Sequence, residues 1–364
     1  MLVRTPVLTG KQILALEEIW LLQRELSPVL NEPKVWTGTL RRQALGRAIR
    51  YSTGIEGYMA SAAQVDDIVL GQDPVGLEQE TLTALKGYRD AMGFVLQVAT
   101  SKDFKLDTNF LRAVHFMTVA GDPGASPGRW REGSIYVRDE ISGAIVHEGA
   151  DATELPDLMS ELGGFLVDHP ERVSIIDAAM SHLNLVLIHP FRDGNGRVAR
   201  ILQSALLATS EKPSPVFLSI EEYLGRNTAE YYEVLRQVGG GRWNPNVDAS
   251  PWIDFVLKAH LAQLSGVKRQ SDLANQTWLQ VAKLVESLGL NDRCVPGLVH
   301  AVTGGRLTNP SYRDLLAESG DQISLLTASR ELALLVEYGL LLPIGERKAR
   351  SYSAGAKLLE VRVR

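Results

Sequence analysis

Hydrophobic residues near the start of the chain recur with the period of an amphipathic helix. Between residues 12 and 22, Ile13, Leu16, Ile19 and Trp20 fall at helical spacing, with acidic residues between them. This pattern predicts a helix with these four side chains on its apolar face. The same criteria predict further helices at residues 77–98, 228–238, 252–264, 278–287, 312–317 and 324–338.

Two strongly apolar helices flank a short loop at the centre of the chain. The first, predicted over residues 173–188, stops at His189-Pro190 because a proline pushes the residue before it out of helical geometry. After Gly196, apolar residues follow the i, i+3, i+4, i+7 series, which predicts the second helix. The central unit is therefore expected to be helix, tight loop, helix.

Strand-like patterns occur in two other places. Residues 121–133 are rich in glycine and proline and predict a loop, and residues 134–147 alternate apolar and polar positions around a Ser142-Gly143 turn. A short β-hairpin is expected there. Residues 341–355 resemble a two-stranded wing with a basic tip, where Arg347, Lys348 and Arg350 lie. Helices followed by such a wing are the winged helix-turn-helix arrangement.

The fold class predicted from these elements is mainly α, with one β-hairpin in the core and a C-terminal winged helix-turn-helix of α+β type. A chain of 364 residues is too long for one ordinary core, so several domains are expected. The predicted boundaries are an N-terminal helical region at 1–105, a catalytic core at 106–264, a polar linker at 265–275 and the winged helix at 276–364.

Composition narrows the function classes. Apolar residues make up 45% and charged residues 22%, and the net charge is -5, which is typical of a folded protein and not of one built wholly around nucleic acid. The single cysteine, Cys294, excludes an internal disulfide. The sequence shows neither a signal-peptide pattern nor a membrane span, so a cytoplasmic location without membrane contact is expected.

The loop HPFRDGNGRVAR, from His189 to Arg200, carries the candidate chemistry. A glycine-rich turn that opens a helix aims backbone N–H groups at one point, and the helix N-terminus adds its positive end, so the turn can bind an anion. Arg197 and Arg200 lie one turn apart on that helix, and paired guanidinium groups suit a polyphosphate. Asp193 supplies a hard oxygen ligand for Mg²⁺ carried by a nucleotide. His189 has the ordinary pKa, near ~6.5, of a general base. Together these residues indicate nucleotidyl transfer.

This loop resembles the Fic signature, HPF-x-(D/E)-GN-(G/K)-R-x-x-R, at every defining position. The resemblance extends from about Phe110 to Leu264. It implies a helical Fic core that transfers AMP from ATP to a tyrosine, threonine or serine of a target protein, the chain itself being one candidate target. Asp193 and Gly196 fit the AMP-transferring form, because related kinase-like loops usually have lysine at the second glycine.

The resemblance also assigns roles to the individual loop positions. His189 would deprotonate the target hydroxyl, Phe191 would be a buried anchor of the loop, and Asp193 would hold Mg²⁺. The positions implied to bind the phosphates of ATP are Gly194, Asn195, Gly196, Arg197 and Arg200. Tyr231 and Tyr232 resemble a segment that lines the adenine pocket, although tyrosines on a helix are more often core or rim residues.

Two elements outside the loop also resemble parts of the family. The hairpin at Ile135, Tyr136 and Val137 resembles the flap that pairs with the target as an added strand, the alternative being an ordinary surface hairpin. Ser52, Glu56 and Gly57 match an inhibitory pattern, (S/T)-x-x-x-E-(G/N). On a helix, the first two would share one face, and the glutamate would pair with Arg200 and misalign ATP. The alternative is a capped helix start with a surface glutamate.

Other functions stay open at this stage. The chain could be a DNA-binding regulator acting through residues 311–352, although basic and acidic residues are nearly balanced in its last part. The same site could instead remove AMP, with Glu56 orienting a water. A homodimer is a further open interpretation. His182 is expected to be a buried structural residue, whereas His115, His147, His169, His260 and His300 lack ligand-like spacing and receive no role.

Overall fold

The structure is a computed structural model that describes residues 1–31, 37–98, 101, 105–138, 142–168, 174–208, 215–345 and 350–361. The longer helices are α1 Gly10–Asn31, α2 Thr37–Gly54, α3 Ala62–Val69, α4 Gln79–Val98, α5 Thr108–Val119, α6 Leu155–Asp168, α7 Ile175–Ile188, α8 Asn195–Ala208, α11 Thr228–Gly239, α12 Ser250–Ser287, α13 Val295–Val302, α14 Asn309–Glu318 and α15 Leu325–Glu337. The short ones are α9 Pro215–Leu218, α10 Glu221–Arg226 and α16 Ala356–Leu359. The strands are β1 Tyr136–Arg138, β2 Ile145–Glu148, β3 Leu341–Ile344 and β4 Ser351–Ala354. The mainly helical fold class is therefore confirmed.

The chain divides into two compact units. The first consists of Met1–Pro28, Arg47–Ala60 and Gly76–Ser265, and the second of Val29–Gly46, Ser61–Val75 and Gly266–Arg364. None of the described helices has an apolar stretch long enough, and free enough of charge, to cross a membrane.

These units differ from the domain boundaries expected from sequence. Parts of the N-terminal 105 residues belong to each unit. Residues 265–275, expected to be a linker, lie inside the continuous helix α12. Polar residues in this stretch are compatible with a helix because they are long or small side chains without proline, and only one glycine interrupts the helical propensity.

The core of the first unit is the antiparallel pair α7 and α8. Ser174 caps α7 by a capping box with Asp177, and the helix is apolar almost all round, so nearly every side chain is buried. α4 and α5 pack against α8. Trp252 on α12 is fully buried and donates its indole N–H to the carbonyl of Ala179, at 2.8 Å, which fixes α12 against α7. The predicted helix, loop, helix is thus the centre of this unit.

α1 is oriented differently from the sequence expectation. Ile19 is buried, but Ile13 is 46% and Trp20 is 54% exposed. Gln12 is buried instead and donates to the Asp254 carboxylate at 2.7 Å. The apolar pattern was wrong about which face of α1 is buried. The Gln12 amide is buried because it hydrogen-bonds Asp254, and hydrophobic spacing does not indicate such a long-range contact.

The predicted hairpin of the first unit is present as β1 and β2. They pair antiparallel, with Tyr136 opposite Glu148 and Val137 opposite His147. At the end of β2, the N–H of Glu148 donates to the Gly241 carbonyl at 2.9 Å, and its carbonyl accepts from the N–H of Trp243 at 2.8 Å. Among the described residues, no further strand pairs with the other edge of β1.

The second unit contains α13, α14 and α15 followed by the β3–β4 hairpin. The order α14, α15 and hairpin agrees with the prediction, whereas α13 was not predicted. Its core includes Leu298, Tyr312, Leu316 and Leu332, all less than 1% exposed. Arg350 is exposed, whereas Arg347 and Lys348 of the expected basic tip lie outside the described residues.

Candidate active site

The loop between α7 and α8 is closed by its own side chains. His189 ends α7 with φ 54°, a left-handed backbone conformation that is uncommon outside glycine and often found at functional sites. The side-chain amide of Asn195 accepts from the backbone N–H of Phe191 and donates to its carbonyl, both at 2.9 Å. Asn195 therefore shapes the loop through its side chain, and only its backbone N–H is left to face a ligand.

Phe191 holds the loop against the core. Its ring is fully buried, stacks on the His115 ring with the centroids 3.7 Å apart, and contacts the Trp130 ring at 4.7 Å. His115 also forms two polar contacts: Nδ1 accepts from the N–H of Gly128 at 2.9 Å, and Nε2 lies 3.1 Å from the Asp193 carbonyl. Because Nδ1 accepts, Nε2 carries the proton and donates, so the ring is neutral. Burial lowers the pKa of His115 to about 4, in agreement with this form.

His189 is held in the tautomer that a base requires. Its Nδ1 lies 3.1 Å from the carbonyl of Val186, an acceptor only, so Nδ1 carries the proton and Nε2 keeps a free lone pair. The guanidinium of Arg131 donates a hydrogen bond to the His189 backbone carbonyl at 2.7 Å. Burial lowers the pKa of His189 to about 4, with the nearby His147 and Arg131 acting in the same direction. The imidazole is therefore neutral at neutral pH, with its one proton on Nδ1.

Arg131 and His147 join the hairpin to this loop. Arg131 is 9% exposed, and besides His189 its guanidinium donates to the carbonyls of Gly133 and Ala150. His147 on β2 places Nε2 2.7 Å from the carbonyl of Leu187, at the end of α7. The sequence pattern assigned no role to either residue.

The first turn of α8 offers a cradle for an anion. The first N–H groups of a helix have no acceptor within it, and α8 begins at Asn195. Gly194 has φ +73°, and a Cβ there would lie 2.8 Å from a methyl of Val119. A Cβ on Gly196 would lie 3.0 Å from both Glu56 and Arg200 side-chain atoms. Gly194 is therefore favoured by its left-handed backbone and close approach, whereas a side chain on Gly196 would press against Glu56 and Arg200.

A carboxylate already forms ion pairs with the two arginines beside this cradle. Glu56 places one oxygen 2.8 Å from Arg200 Nη2 and the other 2.5 Å from Arg197 Nε. Both guanidinium groups are 3% exposed or less, and Glu56 is 20% exposed. The predicted proximity of Glu56 to Arg200 is present. Arg197 also bonds Asp193 at 2.9 Å and lies over the ring of Tyr58, 5.4 Å from its centroid.

Glu56 does not lie on a helix face with Ser52, as the sequence suggested. Ser52 is within α2, whereas Glu56 follows the end of α2 in a turn that Gly57 completes with φ +88°. The turn is closed by backbone bonds from Glu56 and Tyr58 to the Thr53 carbonyl, at 3.0 and 3.2 Å. α2 ends here because Gly54 and Gly57 favour a turn over helix continuation.

Ser52 contributes directly to the arginine site. It is fully buried, its hydroxyl oxygen accepts from Arg200 Nε at 2.6 Å, and its carbonyl accepts from Nη2 at 3.0 Å. Burial would lower the pKa of Arg200, but the Glu56 charge and neighbouring tyrosine hydroxyls raise it above its ordinary value. Arg200 is therefore a permanent buried cation with α2 as its partner.

The two tyrosines predicted near adenine have different environments. Tyr231 is 1% exposed, its hydroxyl lies 3.0 Å from His182 Nε2, and the nearby charge of Arg200 acts on it. His182 Nδ1 bonds Gln203 at 2.7 Å, so His182 is the buried structural histidine that was expected. Aromatic neighbours lie against the Tyr231 ring, and its contact with adenine stays a prediction. Tyr232 is 47% exposed and donates to the Ile55 carbonyl at 3.3 Å.

Asp193 is the residue that can hold a metal ion. Its side chain is 52% exposed, with one oxygen on Arg197. No group of three or more histidine, cysteine, aspartate or glutamate side chains forms a metal site within the described ranges. A single carboxylate suits Mg²⁺, which usually takes one or two protein ligands and completes its shell with phosphates and water. The residues present fit an ion that arrives with a nucleotide.

Comparison with known proteins identifies the central region. Residues 105–207 match the model of the Fic/DOC family. The chain is similar to a protein adenylyltransferase Fic of Nematostella vectensis, 28% identical over 220 residues that cover 60% of this chain and 47% of that protein. It is also similar to protein adenylyltransferase fic-1 of Caenorhabditis elegans, 28% identical over 227 residues that cover 59% and 41%. The chain thus spans less than half the length of these relatives.

Solved structures show the same fold. A Fic family protein from Desulfovibrio desulfuricans superposes with a TM-score of 0.63 at 21% identity, over 98% of both chains. Fic-1 from Caenorhabditis elegans superposes with a TM-score of 0.56 at 23% identity, over 72% of this chain and 74% of that one. At these identities the similarity establishes the fold alone.

Proposed function

We propose that this chain, which carries a Fic/DOC domain over residues 105–207, transfers AMP from ATP to a hydroxyl group of a protein target. One observation carries the proposal. A neutral histidine with a free Nε2 lies on the same loop and helix turn as two buried guanidinium groups and the first N–H groups of a helix. The similarity to proteins named adenylyltransferases supports the same chemistry.

In the proposed reaction, Nε2 of His189 accepts the proton of the target hydroxyl, and the hydroxyl oxygen attacks the α-phosphorus of ATP. A phosphoester bond to the target forms, the bond between the α- and β-phosphates breaks, and pyrophosphate leaves with the electron pair. The N–H groups of Gly194, Asn195 and Gly196 and the guanidinium groups of Arg197 and Arg200 would bind the phosphates. Fixed donors in a water-poor site stabilise developing charge without reorganisation.

Magnesium is part of the proposal as a companion of ATP. Asp193 would hold it, and the ion would offset the negative charge of the phosphates when bound. The carboxylate is exposed enough to reach solvent and already lies beside Arg197.

The proposal includes an autoinhibited resting state. Glu56 binds both arginines that the β- and γ-phosphates would use, and Ser52 fills two further donor positions of Arg200. ATP bound while Glu56 is docked would lose these contacts, so its α-phosphate would be out of line with the target hydroxyl. Gly57 supplies the left-handed turn that returns the chain from the site.

The hairpin provides the proposed docking track for the target. Tyr136 is 44% exposed and Val137 is half-buried, and Ile135 leads into the strand. An extended target segment could add to the open edge of β1 by main-chain hydrogen bonds, which register a hydroxyl without reading much sequence. Because Arg131 and His147 tie this hairpin to the loop of His189, the target would be registered against the base.

DNA binding through residues 311–352 stays a prediction. The exposed side chains of α15 in the second unit give it little support. On α15, Leu325, Leu326 and Leu334 are 61%, 58% and 39% exposed, and Arg330 is the exposed basic side chain among the described residues of that helix. A helix that binds the major groove usually presents cationic and hydrogen-bonding side chains.

Mass spectrometry of a cell lysate incubated with ATP and the Glu56→Gly chain tests the proposed function. We expect a mass gain equal to AMP on tyrosine, threonine or serine side chains. The control is the same chain with His189→Ala added, which should give no gain. Absence of modification with the first variant, or equal modification with both, would refute AMP transfer by His189. Loss of AMP from proteins already modified would indicate the reverse reaction instead.

A further inference from the structure

A cleft lies beside the flap, on the side of the loop that carries His189. Its volume is about 450 Å³, enough for one or two amino-acid side chains. The residues that line it are Ser126, Arg129, Trp130, Arg131, Glu132, Gly133, Ser134, Ile135 and Arg192. They come from the loop that precedes β1 and from the loop that carries His189. Ile135 and Arg131 belong to the proposed docking hairpin and its tie to that loop, and the other lining residues have been given no part in the proposed reaction.

The loop that forms most of the cleft is held in place. The N–H of Gly128 donates to His115 at 2.9 Å, and its carbonyl accepts from Arg112 at 2.8 Å. The N–H of Arg131 donates to the Pro190 carbonyl at 3.0 Å. Trp130 packs against the buried Phe191 ring. This loop is therefore already ordered, and binding a ligand would cost little further conformational entropy.

The cleft carries an excess of positive charge. Arg129 and Arg192 are exposed and form no ion pair within the described part of the chain, whereas the Arg131 guanidinium is used on backbone carbonyls. Glu132 is the carboxylate among the lining residues. Three guanidinium groups against one carboxylate give a local positive site in a chain whose net charge is -5. Two unpaired arginines beside a partly exposed tryptophan are suited to a carboxylate on a short apolar stem.

The position of the cleft relates it to the target. Ile135, which lines it, leads directly into β1, and Arg192 lies between the proposed base and Asp193. A target segment that pairs along β1 and brings its hydroxyl to His189 would place a residue next to the modified one over this cleft. We infer that the cleft binds an acidic side chain of the target next to the modified residue, through Arg129 and Arg192. This inference rests on the proposed function for the role of the bound peptide.

Peptide binding can test the inference independently of AMP transfer. The probes are fluorescent peptides with one tyrosine that differ only in residues flanking it, either glutamate, glutamine or lysine. Anisotropy with the Glu56→Gly chain should show glutamate peptides binding about tenfold more tightly than lysine peptides, since one partly exposed ion pair contributes up to about fivefold and two arginines take part. Arg129→Glu should remove the preference, and adding Arg192→Glu should reverse it.

A matched control uses Arg236→Glu, the same charge change on an exposed arginine of α11 that does not line the cleft. It should leave the ratio of affinities unchanged. Equal affinity of the three peptides, or a ratio that Arg129→Glu and Arg236→Glu change equally, would overturn the inference.

AMP labelling of the same peptides separates the two proposals. Labelling with the same acidic preference would support both. Labelling of all peptides at one rate, together with equal affinities, would overturn the acidic cleft and leave AMP transfer standing. Selective binding of acidic peptides without any labelling of peptide or chain would support the cleft and refute the proposed activity.

Discussion

Replacing Glu56 with glycine should convert the resting chain into an active transferase at a cost in stability. The substitution removes two charge-assisted contacts, to Arg200 at 2.8 Å and Arg197 at 2.5 Å. Removing one partner of a buried ion pair costs about 3–5 kcal/mol. We take the lower end, about 3 kcal/mol, because Ser52 and Asp193 keep their bonds to the two guanidinium groups. The melting temperature should fall by roughly 6–12 °C.

ATP with Mg²⁺ should restore much of this loss, because the phosphates supply the anion that the buried arginines lack. The thermal shift on adding nucleotide should therefore be larger for the variant than for the wild type. The rate of AMP incorporation at saturating ATP should rise about a hundredfold, the usual cost of a misplacement of about 1 Å. The assay is incorporation of labelled AMP into the chain and into lysate proteins, as an initial rate.

Glu222→Gly is a matched control for this comparison. Glu222 also pairs with two arginines, Arg47 at 2.9 Å and Arg226 at 3.0 Å, and its side chain is 18% exposed, against 20% for Glu56. We expect a lower melting temperature without a gain in rate or in nucleotide shift. The reasoning would be refuted if wild type and Glu56→Gly incorporated AMP at the same rate, or if the control raised the rate equally.

Three further outcomes are expected in the Glu56→Gly chain. First, kcat/KM, which reports the free enzyme, should stay flat from pH 8 to about 5.5. The pKa of His189 is lowered to about 4, so the base form is present above that pH and is lost only as the pH falls through it. A fall in kcat/KM centred near ~6.5 would contradict this. Second, Tyr231→Phe removes a hydroxyl that bonds His182 and on which the charge of Arg200 acts. KM for ATP should rise about tenfold, with a loss of about 1–2 kcal/mol in unfolding free energy; an unchanged KM would contradict a positioning role. Third, His115→Phe keeps the stacking on Phe191 but loses the bonds to Gly128 and Asp193, so kcat should fall about tenfold while far-UV circular dichroism is unchanged; an unaffected kcat would show that the loop does not need these bonds.

The central loop could be predicted because its geometry depends on local sequence. Pro190 prevents α7 from continuing, and the glycines that flank Asn195 allow the sharp start of α8. The spacing of Arg197 and Arg200 then follows from helix geometry alone. The pairing of Glu56 with Arg200 was also predicted, but only through a resemblance, because no local rule connects residues so far apart in the chain.

The residues that were missed act through long-range contacts. Arg131 reaches the carbonyl of His189, and His115 reaches that of Asp193, across 58 and 78 residues of sequence. A histidine among apolar helix positions gives no sign of its partner. The different environments of Tyr231 and Tyr232 have a related cause: the two residues are adjacent in sequence, yet packing buries one ring and exposes the other. Satisfying buried polar groups is a property of the assembled fold, and pattern alone does not determine it.

The contacts of Arg200 suggest how the resting state could be relieved. Glu56 pairs with both guanidinium groups, and in the proposed reaction the ATP phosphates would use the same groups, so each would weaken the other by the same free energy. Any interaction that withdraws the turn after α2 would therefore raise the affinity for ATP in its reactive geometry, and bound ATP would loosen that turn to the same extent. Ser52 lies within α2, whereas Glu56 lies in the turn after it, so we expect withdrawal of the carboxylate to require movement of that turn and not unfolding of α2.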